Sequence, residues 1–317
     1  MAWYDQITEK FVRNVANKYM QDQIWGPFNI FPKVNVVQKA GYLAKYLKED
    51  WLRMTNPNDY IRTGAAESMG DDFATGKQPF VLEQYAFHQD VTEEDRDNYD
   101  NPFDPVSDAT QFVINKLKLV IATKFANTVF TSGLWGVNYD VSTSSTPWDD
   151  DGSDPIADVL SVAQSIEQVT GFWPNKFCMT RDVEIALANN KALKDVMKVT
   201  SDKIVSKDLI AKAFHVDMVE VFSTVTTKAK KNQTATSANT GYIATNQALL
   251  CYAPERATTK APSAGIHTAY KTTAGNVITR RIPMPEKNNA IRIEGIVYTN
   301  PVVMGNDLGG RLFNILT

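Results

Sequence analysis

The sequence predicts an α+β protein built from more than one structural unit, and three observations carry that prediction. A long run of helical periodicity starts at Asp104-Pro105, helix and strand signals alternate after residue 170, and residues 33–90 scatter strand signals among turn residues without a compact pattern. No segment recurs at a fixed period, which excludes solenoids and propellers.

The elements follow in chain order. Tyr4, Ile7, Phe11, Val15 and Tyr19 recur at helical spacing and predict an opening amphipathic helix that stops at Trp25-Gly26-Pro27. Phe28, Ile30 and Phe31, ahead of Pro32, form an extended apolar segment that cannot bury itself locally. Val34, Val36 and Val37, the turn residues Asn56-Pro57-Asn58-Asp59, Gly64, Gly70 and Gly76, and the run Phe80 to Phe87 read as one long hairpin with an irregular tip. Such a hairpin is marginal in water, so something outside it should support it.

Asp104 then acts as an N-cap with proline in the first helical position, and Ile114, Leu117, Ile121, Phe125 and Val129 mark one face of a beam-like helix. Phe112, Val113, Leu119, Val120 and Phe130 widen that face and predict packing on more than one side. Asp154-Pro155 repeats the device and opens a helix that stops at Thr170-Gly171. Further helices are expected at Arg181 to Asn190 and Ser206 to Phe214, and strands at Lys176 to Met179, Val216 to Phe222 and Tyr242 to Tyr252. Thr226 to Thr240 reads as a solvated loop, and Ile291 to Tyr298 as a strand ending before Pro301.

Composition bounds the function. A net charge of -3 is too near neutral for an electrostatic nucleic-acid clamp. Cys178 and Cys251 sit in apolar segments and read as small core residues, neither a disulfide framework nor a thiolate metal site. Charges interrupt every apolar run in Met1 to Met20, and no stretch reaches the roughly 20 apolar residues of a membrane-spanning helix, so a soluble cytoplasmic product is expected.

Catalytic signatures are absent: there is no G-x-S-x-G, H-E-x-x-H or G-x-G-x-x-G. Gly70 to Lys77 has one residue too many between its glycines for a phosphate loop, and Gln78 replaces the hydroxyl that binds magnesium. Asp149-Asp150-Asp151 lacks the first and last ligands of a calcium loop. His88, His215 and His267 stand singly, Glu93, Glu94 and Asp95 read as a charged surface turn, and Lys228, Lys230 and Lys231 have no aromatics for base stacking. No enzyme, cofactor or metal is predicted; what stands out is architectural.

Several runs carry a resemblance over nearly the whole chain. They are Tyr85-Ala86-Phe87-His88-Gln89-Asp90-Val91-Thr92-Glu93-Glu94-Asp95-Arg96 with Asn101-Pro102 and Asp108-Ala109-Thr110, then Asp154-Pro155 to Thr170-Gly171 with Pro174-Asn175, and Ala211-Lys212-Ala213-Phe214-His215-Val216 before Val219-Glu220-Val221. In this order they resemble the major capsid proteins of tailed bacteriophages with the HK97-type fold. The resemblance implies an N-terminal arm at 1–35, an extended β-hairpin loop at 36–86, peripheral-domain residues 87–137 with a spine helix at 105–132, an axial domain at 138–256, and a peripheral return with the C-terminal strand at 257–317. It also implies an icosahedral virion shell around double-stranded DNA, assembled in the host bacterial cytoplasm from pentamers and hexamers.

Burial between copies then has named candidates: Phe11, Trp25, Phe28, Phe31 and Trp51, with Arg53 and Arg62 as partners for a neighbour's carboxylates. For each aromatic the alternative is an intrachain core contact. The chain shows no long acidic N-terminal extension of the kind some relatives use as a fused scaffold, so either a separate scaffolding protein acts or the extension has been cleaved and is absent from this sequence. Met1 favours the former, and a portal and a decoration protein are the further partners the resemblance implies. Lys39, Lys45, Lys48 and Lys77 raise the question of covalent crosslinking seen in some relatives, but nothing identifies a catalytic carboxylate, and non-covalent stabilisation is expected. An encapsulin-like compartment holding a cargo enzyme is the alternative reading, and DNA or cargo inside purified shells separates the two.

Overall fold

A computed structural model describes residues 29–54, 56–64, 67–97, 104–200, 206–229, 236, 239–258, 261–271 and 276–317. The opening helix, Asn101-Pro102, Lys230 and Lys231 lie outside the described residues. Gln38–Val81 forms one compact unit, and the chain on either side of it forms a second.

In the larger unit, strands β1 (Lys33–Val36), β4 (Glu83–Val91), β11 (Gly265–Tyr270), β12 (Ile278–Met284) and β13 (Ala290–Val303) make a five-stranded sheet. Its order is β1-β11-β13-β12, with β4 on the other flank of β13. β1 is therefore not part of the hairpin that the sequence predicts; it runs parallel to β11, with Lys33 opposite His267. The expected Phe80–Phe87 strand is also divided at Leu82, because β3 (Thr75–Val81) pairs within the smaller unit while β4 pairs with β13.

β13 continues through Pro301, where the sequence reading stopped it. Pairing with β4 ends at Thr299, so Pro301 lies where only β11 flanks the strand and one side needs no donor. Arg292 and Asp90 face each other across β13 and β4 in a two-pronged ion pair at 2.7 and 2.9 Å. The Arg292 guanidinium holds the Asp90 carboxyl down to about 2.

Helix α1 (Pro105–Val129) lies on this sheet. Asp104 accepts a hydrogen bond from Val106 N at 3.0 Å, and Pro105 takes the first helical position. The helix ends three residues before the predicted boundary: Trp135 Nε1 donates to Val129 O at 2.7 Å, which satisfies a last-turn carbonyl. Val113, Ile114, Leu117, Ile121, Phe125 and Val129 are buried, but Phe112 and Val120 are nearly half exposed, so the helix buries one face rather than several. Close approach to β13 depends on Gly295, where an added Cβ would lie 2.6 Å from Val113 Cγ1.

The second five-stranded sheet has the order β5-β14-β10-β6-β7, from β5 (Val137–Asp140), β6 (Lys176–Thr180), β7 (Met218–Phe222), β10 (Gln247–Cys251) and β14 (Gly309–Phe313). The predicted Tyr242–Tyr252 strand is two strands, β9 (Thr240–Tyr242), which pairs with β8 (Val225–Thr227), and β10. Helix α2 (Pro155–Thr170) covers one face of the sheet; Asp154 accepts from Ile156 N and Ala157 N, and Gly171 closes the helix at φ 74°. Helices α3 (Arg181–Asn189), α4 (Lys191–Thr200) and α5 (Lys207–Ala213) follow, and α4 went unread in the sequence.

Two hydrophobic clusters meet across this sheet. Phe177, Met179, Ala248 and Leu250 face the cluster of α2, whereas Cys178, Leu249 and Cys251 face the cluster of α1. The cysteines are core residues; burial pushes the Cys251 thiol up to about 12 and Cys178 higher still. β14 departs from the expected 257–317 grouping, because it lies between β5 and β10 in the sheet of the middle segment. Glycines make that insertion feasible: a Cβ on Gly309 would lie 2.3 Å from Trp135, and one on Gly310 2.6 Å from Val162.

Two outcomes follow. Gly295→Ala forces Val113 and Leu117 to shift and should lower unfolding free energy by about 1–3 kcal/mol in urea titrations. His267 is buried, hydrogen-bonded through Nε2 to Thr299 Oγ1, and held down to about 4 by burial and then by the Lys33 ammonium. The unfolded chain binds this proton below its ordinary value of 6.5 while the folded chain does not, so stability is full above that pH and drains as pH falls toward 4. The wild-type loss should exceed that of His267→Gln by up to about 3 kcal/mol, the comparison cancelling carboxylates such as Asp90 and Glu220.

Candidate assembly surface

The smaller unit is a two-stranded antiparallel ribbon, β2 (Ala40–Tyr46) paired with β3 from Ala40 opposite Val81 to Tyr46 opposite Thr75. Strand alternation puts Tyr42, Tyr46, Pro79 and Val81 on one face and Gly41, Leu43 and Phe80 on the other. Proline is tolerated in β3 because a two-stranded ribbon has only edges.

Beyond the paired strands, specific bonds order the tip. A short helix covers Lys48–Leu52; its Asp50 Oδ2 accepts from Ala74 N at 2.8 Å. Arg53 donates to Asp71 at 2.5 Å, tying the outgoing arm to the returning one. Asn56 caps a 3-10 turn at Pro57–Tyr60, accepting from Asn58 N at 3.0 Å. The Asp71 carboxyl is held below its usual range, first by the Asp72 backbone N–H and then by Arg53.

Against this framework three rings gather. Trp51 lies 5.8 Å from Phe73 and 6.1 Å from Tyr46, and Tyr46 lies 5.8 Å from Phe73, centroid to centroid. The cluster faces outward: Trp51 is 65% exposed, and Tyr42, Met54, Tyr60, Ile61 and Met69 are exposed by more than half as well. Among the described residues, this unit holds eleven of the twenty-one exposed large hydrophobics and a single buried one, Phe80. Monomeric proteins rarely expose apolar side chains at this density, which makes this surface the candidate for contact with another molecule.

The sequence candidates fare unequally. Phe11, Trp25 and Phe28 lie outside the described residues. Phe31 is 2% exposed and packs inside the chain, its ring 5.6 Å from Phe125 and 6.3 Å from Trp135, so the intrachain alternative describes it. A Cβ on Gly265 would lie 2.7 Å from that ring, and the glycine leaves the space the ring fills. Trp51 is the exposed centre of the tip cluster, Arg53 already holds Asp71, and Arg62 is exposed on the same unit. Tyr46 and Phe73 were missed as candidates; the Tyr42–Ala44–Tyr46 alternation marks the first, but nothing local marks Phe73, which reaches Trp51 only through the fold.

Elsewhere the chemistry is sparse. A pocket of about 540 Å³ is lined by Phe31, Lys33, Lys176, Asp217, Glu255 and His267 among others. His88, His215 and His267 lie on separate elements, and no group of three or more His, Cys, Asp or Glu among the described residues is placed to hold a metal ion. Asp149 accepts from Thr317, Asp150 Oδ1 accepts from Gly152 N, and Gly76-Lys77 lies inside β3 rather than before a helix. Thr92 and Asp95 cap each other's turn at Glu93–Asp97, which makes that acidic run a helix start. Among the described residues, no helix is long and apolar enough to cross a membrane.

Solved structures share this architecture. A phage-related protein from Bordetella bronchiseptica RB50 superposes with a TM-score of 0.72 at 17% identity, over 96% of this chain and 97% of that one. A virus-like particle from Pyrococcus furiosus matches at 0.55 and 8% identity, covering 94% and 98%, and the capsid of cyanophage P-SCSP1u at 0.54 and 9%, covering 90% and 86%. No family model and no curated protein matches the sequence. The fold is the HK97-type capsid fold, α+β, as the resemblance implied.

The contrast between Trp51 and Phe31 is measurable on the unassembled chain. Trp51→Ala should change its unfolding free energy by no more than about 0.5 kcal/mol, whereas Phe31→Ala should cost about 3–5 kcal/mol, both read by chemical denaturation.

Proposed function

We propose that this chain is a shell-building structural protein, the major capsid protein of a tailed bacteriophage, whose copies form pentamers and hexamers of an icosahedral virion shell around double-stranded DNA. The observation that carries the reading is the 38–81 ribbon, which exposes its aromatic side chains within the isolated chain. On this reading a neighbour covers the ribbon with a different surface of its own, and such head-to-tail contacts form rings when the rotation closes. Covering five such side chains contributes on the order of 10 kcal/mol before association costs.

A net charge of -3 suits a shell that holds DNA without gripping it. The role is structural, not catalytic, and the likeness in fold to capsid proteins supports that assignment. On this reading a separate scaffolding protein, a portal and a decoration protein complete the particle, which assembles in the host cytoplasm. The likeness to a virus-like particle supports a shell as such, and a compartment enclosing a cargo protein is the second reading.

Negative-stain microscopy of the overexpressed protein, with and without co-expressed neighbouring phage genes, should show rings or closed shells, and their contents, DNA or protein, decide between the two readings. Paired Tyr46→Ala and Trp51→Ala changes should reduce particle yield by at least about tenfold while the chain stays folded. A monomer that never assembles under either condition, with 38–81 protected from hydrogen exchange, overturns the proposal.

A further inference from the structure

Lys176 opens β6, which lies between β10 and β7 and is buried along its whole length. Phe177 and Met179 point into one hydrophobic cluster and Cys178 into the other, so alternation places Lys176 on the face of Cys178. A lysine there is out of keeping with its surroundings, and a buried ammonium persists only where it is well paired.

Its partners belong to the far end of the sequence. Lys176 Nζ donates to the carbonyl oxygens of Asn29 and Ile30, each at 2.9 Å. Burial lowers the Lys176 pKa, while the Glu255 and Glu220 carboxylates favour the charged form. Glu220, on the adjacent β7 opposite Cys178, also hydrogen-bonds Asn29. The next two residues are held as well: Phe31 fills the space over Gly265, and Pro32 O accepts from His267 N at 2.8 Å.

We infer that Lys176 is a positioning residue that latches Asn29 and Ile30 to β6, its ammonium clasping their two carbonyls so that the chain enters β1 from one fixed direction. Hydrophobic burial of Phe31 sets depth, and the ammonium sets direction, because two carbonyls at equal distance fix an orientation that a ring in a pocket does not. The inference does not rest on the shell reading, since every group in it lies within one chain.

Limited trypsin digestion of the unassembled full chain tests the latch. Cleavage after Lys33 requires β1 to leave β11, so its rate reports local opening. Lys176→Met removes both charge-assisted bonds and should speed that cleavage by at least about tenfold in a chain that still melts cooperatively. A folded Lys176→Met chain cleaved at the wild-type rate overturns the inference. If that variant does not fold, the wild-type chain is read in low urea: amine acylation of Lys176 and cleavage at Lys33 should rise together. Cleavage at Lys33 while Lys176 stays unacylated overturns it equally. Shells that form without this coupling remove the latch alone, and a coupled latch in a chain that never forms shells removes the assembly reading alone.

Discussion

A two-stranded ribbon has two faces and no interior. That constraint governs residues 38–81: with Phe80 their single buried large hydrophobic among the described residues, they cannot gain stability from a core of their own. The tip is nonetheless ordered, by Asp50 on Ala74, Arg53 on Asp71 and the Tyr46–Trp51–Phe73 cluster. Polar bonds set the shape and leave the apolar rings facing outward. Within this unit the surface is both shaped and apolar, which is what the proposed assembly contact requires.

The larger unit supplies rigidity through a shared layer. β6 and β10 are apolar on both faces because α1 and its sheet pack on one side and α2 on the other. Neither core can relax without the strands that also line the second. Two of its polar side chains join in a paired network: Asp158 accepts from Trp148 Nε1 at 2.8 Å and Tyr139 OH at 3.0 Å, and Asn190 donates to Trp148 O and Ser153 Oγ. Satisfied networks of this kind specify one packing arrangement instead of several. Lys176 extends the same logic to the chain's entry point, where a charge that would otherwise be orphaned is matched to backbone carbonyls.

Much of this was legible in the residues. The two Asp-Pro pairs announced α1 and α2, because capping and a preset proline φ act within one helical turn. The ribbon was legible as a segment unable to bury itself, though its limits were misplaced by several residues at each end. Trp51, read as a contact candidate, is exposed, whereas Phe31, the same kind of residue in an equally apolar context, is core.

Local spacing determined where α1 and α2 start, which strands alternate, and that the ribbon of residues 38–81 cannot bury its own apolar side chains. Tertiary structure alone decided that β14 inserts between β5 and β10, that β13 passes through Pro301, that Phe31 fills the space over Gly265, and that Lys176 meets Asn29. The physical reason is range: caps and periodicity are settled between residues a few positions apart. Which side of a strand is left unpaired, or which ring fills the space beside a glycine, depends on segments more than a hundred positions away.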